Sequence, residues 1–424
     1  MKVLFISANT EALNMPVMPL GVACVAEATR QAGHQVALLD LMSGKEARTA
    51  PADAIGSFRP ACIGVSVRNI DDQKREATQF LLEKVKSVVA ACRDASSAPI
   101  VVGGAGYSIF PASALAYLGA DMGIAGEGEV GMPALLARLA EGRDVSDLPG
   151  VYLPGRVPRQ PRAHCDTLDR LPLPAHDMLV SSAPQDQTTW IPVQTRRGCA
   201  LRCSYCSTPR IEGTRLRKHS PERVVEWIAG WVAAGFKHFY FVDNTFNLPN
   251  GYALALCRQI IQRRLDMVWR CILYPATVNQ ELIAAMAAAG CRSVSMGFES
   301  GSVSVLRSLG KRFEPDQVRH ASELCADHGI ERMGFLLFGA PGETRDTVEE
   351  SLAFADGLGL EALQLTAGIR IYPGTPLAAT AFAEGRLAAG DDLLQPRFYL
   401  ARGLAEWLPN RLRQWARSRS YVVI

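Results

Sequence analysis

Arg197-Gly-Cys-Ala-Leu-Arg-Cys-Ser-Tyr-Cys-Ser207 sets Cys199, Cys203 and Cys206 at C-x3-C-x2-C spacing in one short loop. Thiolate is the soft ligand that suits a cube of iron and sulfide with four iron corners. Four cysteines would saturate such a cube. Three leave one iron open to a substrate or cofactor, which separates a reactive cluster from an electron-transfer one. The plainer alternative, a zinc knuckle, needs a fourth ligand and usually a second Cys or His pair. The nearest histidine, His219, stands alone on a basic stretch.

Downstream of the loop, apolar runs alternate with amphipathic stretches. Strands are expected over 191–195, 239–242, 268–273, 293–298, 334–338 and 363–371, with helices between them. Ser220-Pro-Glu-Arg reads as a helix start with Ser220 as N-cap, and Gly235 closes that helix. Six such units suggest a partial (β/α)6 barrel of the TIM type, with its chemistry at the carboxyl face. The strand ends expected there are Asp243-Asn-Thr-Phe-Asn247, Gly297-Phe-Glu-Ser-Gly301, Phe338-Gly-Ala-Pro-Gly-Glu-Thr344 and Ile369-Arg-Ile-Tyr-Pro-Gly-Thr-Pro376. The last presents Arg370 and Tyr372 as candidate substrate contacts. Arginine is a natural partner for carboxylate or phosphate, whereas an aromatic on a strand more often packs.

The first 145 residues carry a separate βα series: strands over 3–7, 35–39, 63–67, 100–103 and 122–125, with helices over 19–33 and about 72–92. This alternation predicts an α/β, doubly wound, Rossmann-like domain whose ligand lies beyond the carboxyl ends of the strands. Ser66 and Arg68 follow the third strand, Gly103 and Gly104 the fourth, and Gly126, Glu127 and Gly128 the fifth. Glycines there would let backbone approach a bulky ligand. The plainer role for Arg68 is an ion pair with Asp71 or Asp72.

The cysteine spacing, with aromatic Tyr205 before the third cysteine, resembles the radical S-adenosylmethionine (SAM) superfamily. Pro16-x-x-Pro-Leu-Gly21, Val101-Val-Gly-Gly104 and Gly126-Glu-Gly-Glu129 resemble the cobalamin-binding domain that precedes the cluster domain in one large class of it. The resemblance implies a 4Fe-4S cluster on Cys199, Cys203 and Cys206, with SAM on the open iron. It also implies SAM contacts from Tyr205, Asp243, Glu299, Lys311 and Gly339, Glu299 accepting from the ribose hydroxyls. For Glu299 the competing role is a helix cap. Cobalamin would be met by Ser66, Arg68, Gly103, Gly104, Gly126, Glu127 and Gly128. With no Asp-x-His-x-x-Gly motif, the cobalt is expected to lack a histidine ligand, and Arg68 could face its lower side. One departure is Ala200, where many members carry proline.

The expected domains are therefore 1–145 for cobalamin, a proline-rich connector over 146–190, the radical SAM domain over 191–380 and a tail over 381–424. The tail's apolar residues suggest docking on the barrel, with a basic surface for anions as the alternative; Pro409 should interrupt any single helix there. By resemblance the enzyme is a methyltransferase that methylates an unactivated carbon using methylcobalamin and a 5′-deoxyadenosyl radical. A cyclase or ring-rearranging enzyme is the alternative, and a cobalamin carrier the non-enzymatic one. A reductant such as flavodoxin or ferredoxin and a small-molecule or peptide substrate are the expected partners. A net charge of +3 without a basic stripe argues against nucleic acid. No apolar run reaches the roughly 20 residues of a transmembrane segment, and no signal peptide is evident. A cytoplasmic setting is expected from the scattered cysteines and the oxygen-sensitive cluster.

Overall fold

The computed structural model describes residues 1–11, 18–43, 49–179 and 189–424. Pro16 of the Pro16-x-x-Pro-Leu-Gly21 segment lies outside them. Strands β1 (Lys2–Ser7), β2 (Gln35–Asp40), β3 (Cys62–Ser66), β4 (Ile100–Gly103), β5 (Met122–Ile124) and β6 (Val151–Tyr152) form one sheet in the order β2-β1-β3-β4-β5-β6. All pairs are parallel except β5 with β6. Strands such as β1 are apolar on both faces because helices cover both sides. The strand order reverses between β1 and β3, so the ligand crevice of this doubly wound sheet lies at their carboxyl ends.

Two features differ from the sequence reading. The third helix begins at Leu82, not near residue 72. Asp71 and Asp72 capture the amides of Gln73 and Lys74 with their own carboxylates, a local alternative to helix. The proline-rich segment also supplies β6, which extends the sheet.

The second sheet is a partial barrel built from β7 (Trp190–Val193), β10 (His238–Phe241), β11 (Val268–Ile272), β12 (Cys291–Glu299), β13 (Glu331–Phe338) and β14 (Ala362–Ala367). A small hairpin of β8 (Arg196–Arg197) and β9 (Arg217–Lys218) interrupts the series after β7, and β15 (Ile369–Arg370) pairs with β16 (Phe398–Tyr399). A seventh strand, β17 (Val422–Val423), comes from the tail and joins β14 in parallel. Alternate residues such as Phe239, Phe241 and Trp269 are fully buried under the helices. Their neighbours Tyr240, Arg270, Ser295 and Phe335 stay half-buried on the opposite face, as an unclosed barrel with an accessible interior requires.

The helix Pro221–Ala233 begins where expected, but no side-chain cap comes from Ser220; Asp169 of the connector accepts its amide at 2.9 Å instead. The two halves share their cores. Val305, Leu309, Ile369, Ile371 and Tyr399 of the barrel side pack in one apolar cluster with Val65, Val67 and Phe110 of the first sheet. Among the described residues no helix is long and apolar enough to cross a membrane.

Candidate active site

The cysteine loop leaves the barrel at β8 and returns at β9, so the antiparallel pairing of Arg196 with Lys218 and Arg197 with Arg217 closes its neck. Gly198, at φ +89°, is needed at that neck, since a Cβ would meet the Arg215 carbonyl at 2.1 Å. Inside the loop the Cys199 amide donates to Gly213, and the Ser204 amide to Leu309 beside Gly310. Cys199, Cys203 and Cys206 are all half-buried, whereas Cys24, Cys62, Cys92, Cys257, Cys271, Cys291 and Cys325 are buried. Among the described residues no three His, Cys, Asp or Glu side chains converge as ligands of one metal ion would. A three-thiol set without a fourth ligand fits a polynuclear cluster with one corner free better than zinc. Burial pushes the Cys199 thiol up to about 11 and also raises Cys203, where the Lys311 ammonium acts in the opposite sense. Coordination would deprotonate them outright.

Next to the loop stands a trio that the sequence singled out residue by residue. The Tyr205 hydroxyl donates to Glu299 Oε1 at 2.8 Å, and Lys311 Nζ donates to the same oxygen at 3.1 Å and to the Gly297 carbonyl at 2.8 Å. Burial and the Glu299 charge together hold the Tyr205 phenol well above its usual range. Burial works against the charge of Lys311, but Glu299 and Cys203 outweigh it and raise its pKa. Glu299 adopts φ +67°, a left-handed conformation costing about 1–3 kcal/mol for a non-glycine residue. It sits where the β12–β13 register shifts. Such strain at a strand end aims the carboxylate; the competing role of helix cap is not the one it plays, since Tyr205 and Lys311 hold it.

Other expected site residues are used by the protein itself. Asp243 is 1% exposed. Its Oδ1 accepts from the Thr195 and Arg196 amides, and Oδ2 from the Thr195 hydroxyl at 2.7 Å. It orients the approach to the cysteine loop rather than presenting a carboxylate to SAM. A Cβ on Gly339 would meet Leu400 Cδ1 at 2.7 Å, so this glycine answers to the packing of residues 399–401. Arg370, 4% exposed, does not open toward the cavity. It pairs with Asp71 at 2.8 Å and donates to the carbonyls of Ile371, Leu393 and Leu394. Tyr372 is half-buried beside Phe110, and burial raises its phenol pKa, with smaller contributions from the Asp71 and Cys206 charges.

At the first sheet, the crevice between β1 and β3 is lined by Asn9, Thr10, Arg68 and Asn69. Arg68 is exposed, yet enough protein surrounds it to lower its pKa, with Tyr240 of the barrel acting in the opposite sense. Arg68 thus stands in the crevice at the carboxyl end of β3. Its alternative partner Asp71 is taken by Arg370. Ser66 lies at the same edge, beside Gly104. A Cβ on Gly104 would meet the Val67 carbonyl at 2.6 Å, and one on Gly103 the Ile124 carbonyl at 3.4 Å. Gly126 packs on Arg162 and Gly128 on Val25. Close contact thus requires glycine at 104 and 128 and a left-handed backbone (φ +99°) favours it at 126, whereas a Cβ at 103 would make only ordinary contact. Glu127 is buried against Arg197, Arg217 and the Cys165 amide, and its carboxylate is not available to a corrinoid.

Sequence reasoning missed Glu212 and Asn244. Glu212 accepts the Gly198 amide at 3.0 Å and the Asn244 side-chain amide at 2.8 Å, bracing the neck from the barrel side. Asn244 lay inside a motif already singled out; a glutamate in a loop rich in charge carries no signal of its own.

The sequence matches the family model for the radical SAM superfamily over residues 193–355 and that for the B12 binding domain over residues 6–136. It is 29% identical over 399 residues to an uncharacterized methyltransferase of Pyrococcus horikoshii, covering 91% of this chain and 84% of that one. Identity to the tryptophan 2-C-methyltransferase of Streptomyces laurentii is 25%, covering 87% and 73%. The fold superposes with a TM-score of 0.85 on the radical S-adenosylmethionine methyltransferase TsrM of Kitasatospora setae, at 24% identity, over 98% of this chain and 88% of that one.

Proposed function

Because this chain belongs to the cobalamin-dependent radical SAM enzymes, we propose that it is a methyltransferase acting on an unactivated carbon. In this reading residues 1–145 hold the corrinoid, 146–190 connect, 191–380 hold the cluster and SAM, and 381–424 pack as a tail. When bound, the cluster and SAM supply a radical able to abstract hydrogen, and cobalamin supplies the methyl group. Cys199, Cys203 and Cys206 would hold the cluster. Tyr205 would contact the adenine of SAM, and Glu299, now held by Tyr205 and Lys311, would accept hydrogen bonds from the ribose hydroxyls. Lys311 keeps a positive charge beside the cluster. Arg68, in the crevice after β3, would contact the corrinoid, while Tyr372 would bound the substrate space. The shared apolar core of the two halves keeps them in fixed register and excludes water.

The observation that carries this reading is the Tyr205–Glu299–Lys311 trio, strained at Glu299 and assembled on a three-cysteine loop whose Tyr205 and Ile211 pack on the apolar cluster shared with the first domain. The methyltransferase names of both relatives favour methyl transfer over cyclisation. The substrate is a small molecule or peptide, the electron donor a flavodoxin or ferredoxin, and the setting a reducing cytoplasm suited to its free thiols. Anaerobically reconstituted protein should bind cluster and corrinoid and cleave SAM reductively. With methyl-labelled SAM and candidate substrates, label should enter the product. Release of 5′-deoxyadenosine with unlabelled, rearranged product would instead establish the cyclase.

A further inference from the structure

We propose that Glu127 and Glu129, in the first domain, are positioning residues that hold the cluster loop of the second domain by its neck. This rests on the functional reading above only for what the loop carries; the clasp itself is a matter of geometry.

The two partners, Arg197 and Arg217, are neighbours across β8 and β9, the strands that open and close the loop. Arg197 donates to Glu129 Oε1 at 2.5 Å and lies 3.5 Å from Glu127 Oε1. Arg217 donates to Glu127 and to the carbonyls of Cys165 and Glu212, at 3.0 and 2.7 Å. The other Glu127 oxygen accepts the Cys165 amide at 2.5 Å, so one carboxylate ties together the first domain, the connector and the loop. Side-chain exposure is 4% for both glutamates, 11% for Arg197 and 3% for Arg217.

Burial makes this more than surface pairing. A buried charge that loses its partner is left uncompensated, and the backbone must open to hydrate it. Here loss of Glu129 would orphan Arg197, two residues before Cys199, and loss of Glu127 would orphan Arg217. The glycines of Gly126-Glu-Gly-Glu129 serve the same end. Gly128 lets the helix Gly128–Ala140 lie close on Val25 of the helix Leu20–Gln31, which delivers both carboxylates to the neck. The position of a cluster relative to its reactants is a matter of ångströms for rate. A neck fastened to the barrel through Glu212 and to the first domain through Glu127 and Glu129 fixes that position from both sides.

The test uses the full chain with Glu127→Gln, Glu129→Gln and, as a control, Asp177→Asn, which breaks the exposed contact of Arg30 with Asp177. Hydrogen–deuterium exchange of residues 194–219, read on cofactor-free protein, should be at least about tenfold faster in the two glutamate variants and unchanged in the control. After reconstitution, the two variants should keep the parent's corrinoid content. Their KM for SAM should rise about tenfold, with an altered electron paramagnetic resonance signal of the reduced cluster on SAM addition. Parent-like exchange in both glutamate variants overturns the proposal. So does loss of corrinoid with unaltered exchange, which would return Glu127 to the corrinoid site. If a glutamate variant fails to fold, Arg217→Lys, which keeps the charge but not the fork, decides by the same exchange readout. Parent protein that takes up no cluster would end the functional reading yet leave the exchange result standing.

Discussion

At the residue scale, the clearest unused group is Glu343 at the end of β13. One of its oxygens accepts the amides of Gly339 and Ala340; the other is buried without a partner among the described residues. Burial raises its pKa from 4.5 to about 7, and the two amides only partly offset that. The folded state therefore binds its proton more tightly than the unfolded chain does. Its contribution to stability is fully present below pH 4.5 and is lost as pH rises to about 7. Glu343→Gln keeps an acceptor for both amides without the charge. It should stabilise the protein at pH 8 by up to roughly 3 kcal/mol, with the gain vanishing toward pH 4.5. Urea unfolding at pH 5 and pH 8 checks this, and a larger gain at pH 5 would refute it.

At the scale of elements, the tail resolves into the helix Leu408–Ala416 and the edge strand β17. Pro409 falls in the first turn of that helix, where its missing N–H costs nothing, so it opens the helix instead of breaking one. Leu404, Leu408, Leu412 and Trp415 are buried, as docking requires. The basic residues are paired as well: Arg411 with Glu349, Arg413 with Glu76 and Arg419 with Asp356. That leaves the alternative of an anion-gripping face without support from these three. Leu412→Ala should cost about 2–5 kcal/mol. Arg411→Ala, at a partly exposed pair, should cost about 1 kcal/mol or less. Equal losses in denaturant unfolding would mean that charge, not apolar contact, holds the tail.

At the scale of the whole molecule, the Asp71–Arg370 pair joins the loop after β3 to β15 across the domain interface, with both side chains almost wholly buried. The guanidinium also satisfies carbonyls at residues 371, 393 and 394, so three segments meet on one side chain. Arg370→Met strands Asp71 and should cost about 3–5 kcal/mol, whereas adding Asp71→Asn should recover part of that. A double variant as unstable as the single would show that packing around Arg370, not its charge, is what matters. Unfolding curves of the two variants decide it.

What the sequence by itself determined is local or periodic: the three-cysteine loop, the six barrel strands and the residues leaving their carboxyl ends. These follow from spacing and alternation, which neighbouring residues impose on one another. Of the trio, Glu299 was legible as the end of a barrel strand, whereas Tyr205 and Lys311 were expected only from the family resemblance. Only the tertiary structure decided which polar strand-end residues are free for ligands and which the protein consumes. Glu127 meets Arg217 90 positions away, Asp243 meets Thr195 48 away, and Arg370 meets Asp71 299 away. A buried charge must find its partner somewhere, and no local pattern tells a carboxylate awaiting a cofactor from one already claimed by a distant arginine or amide.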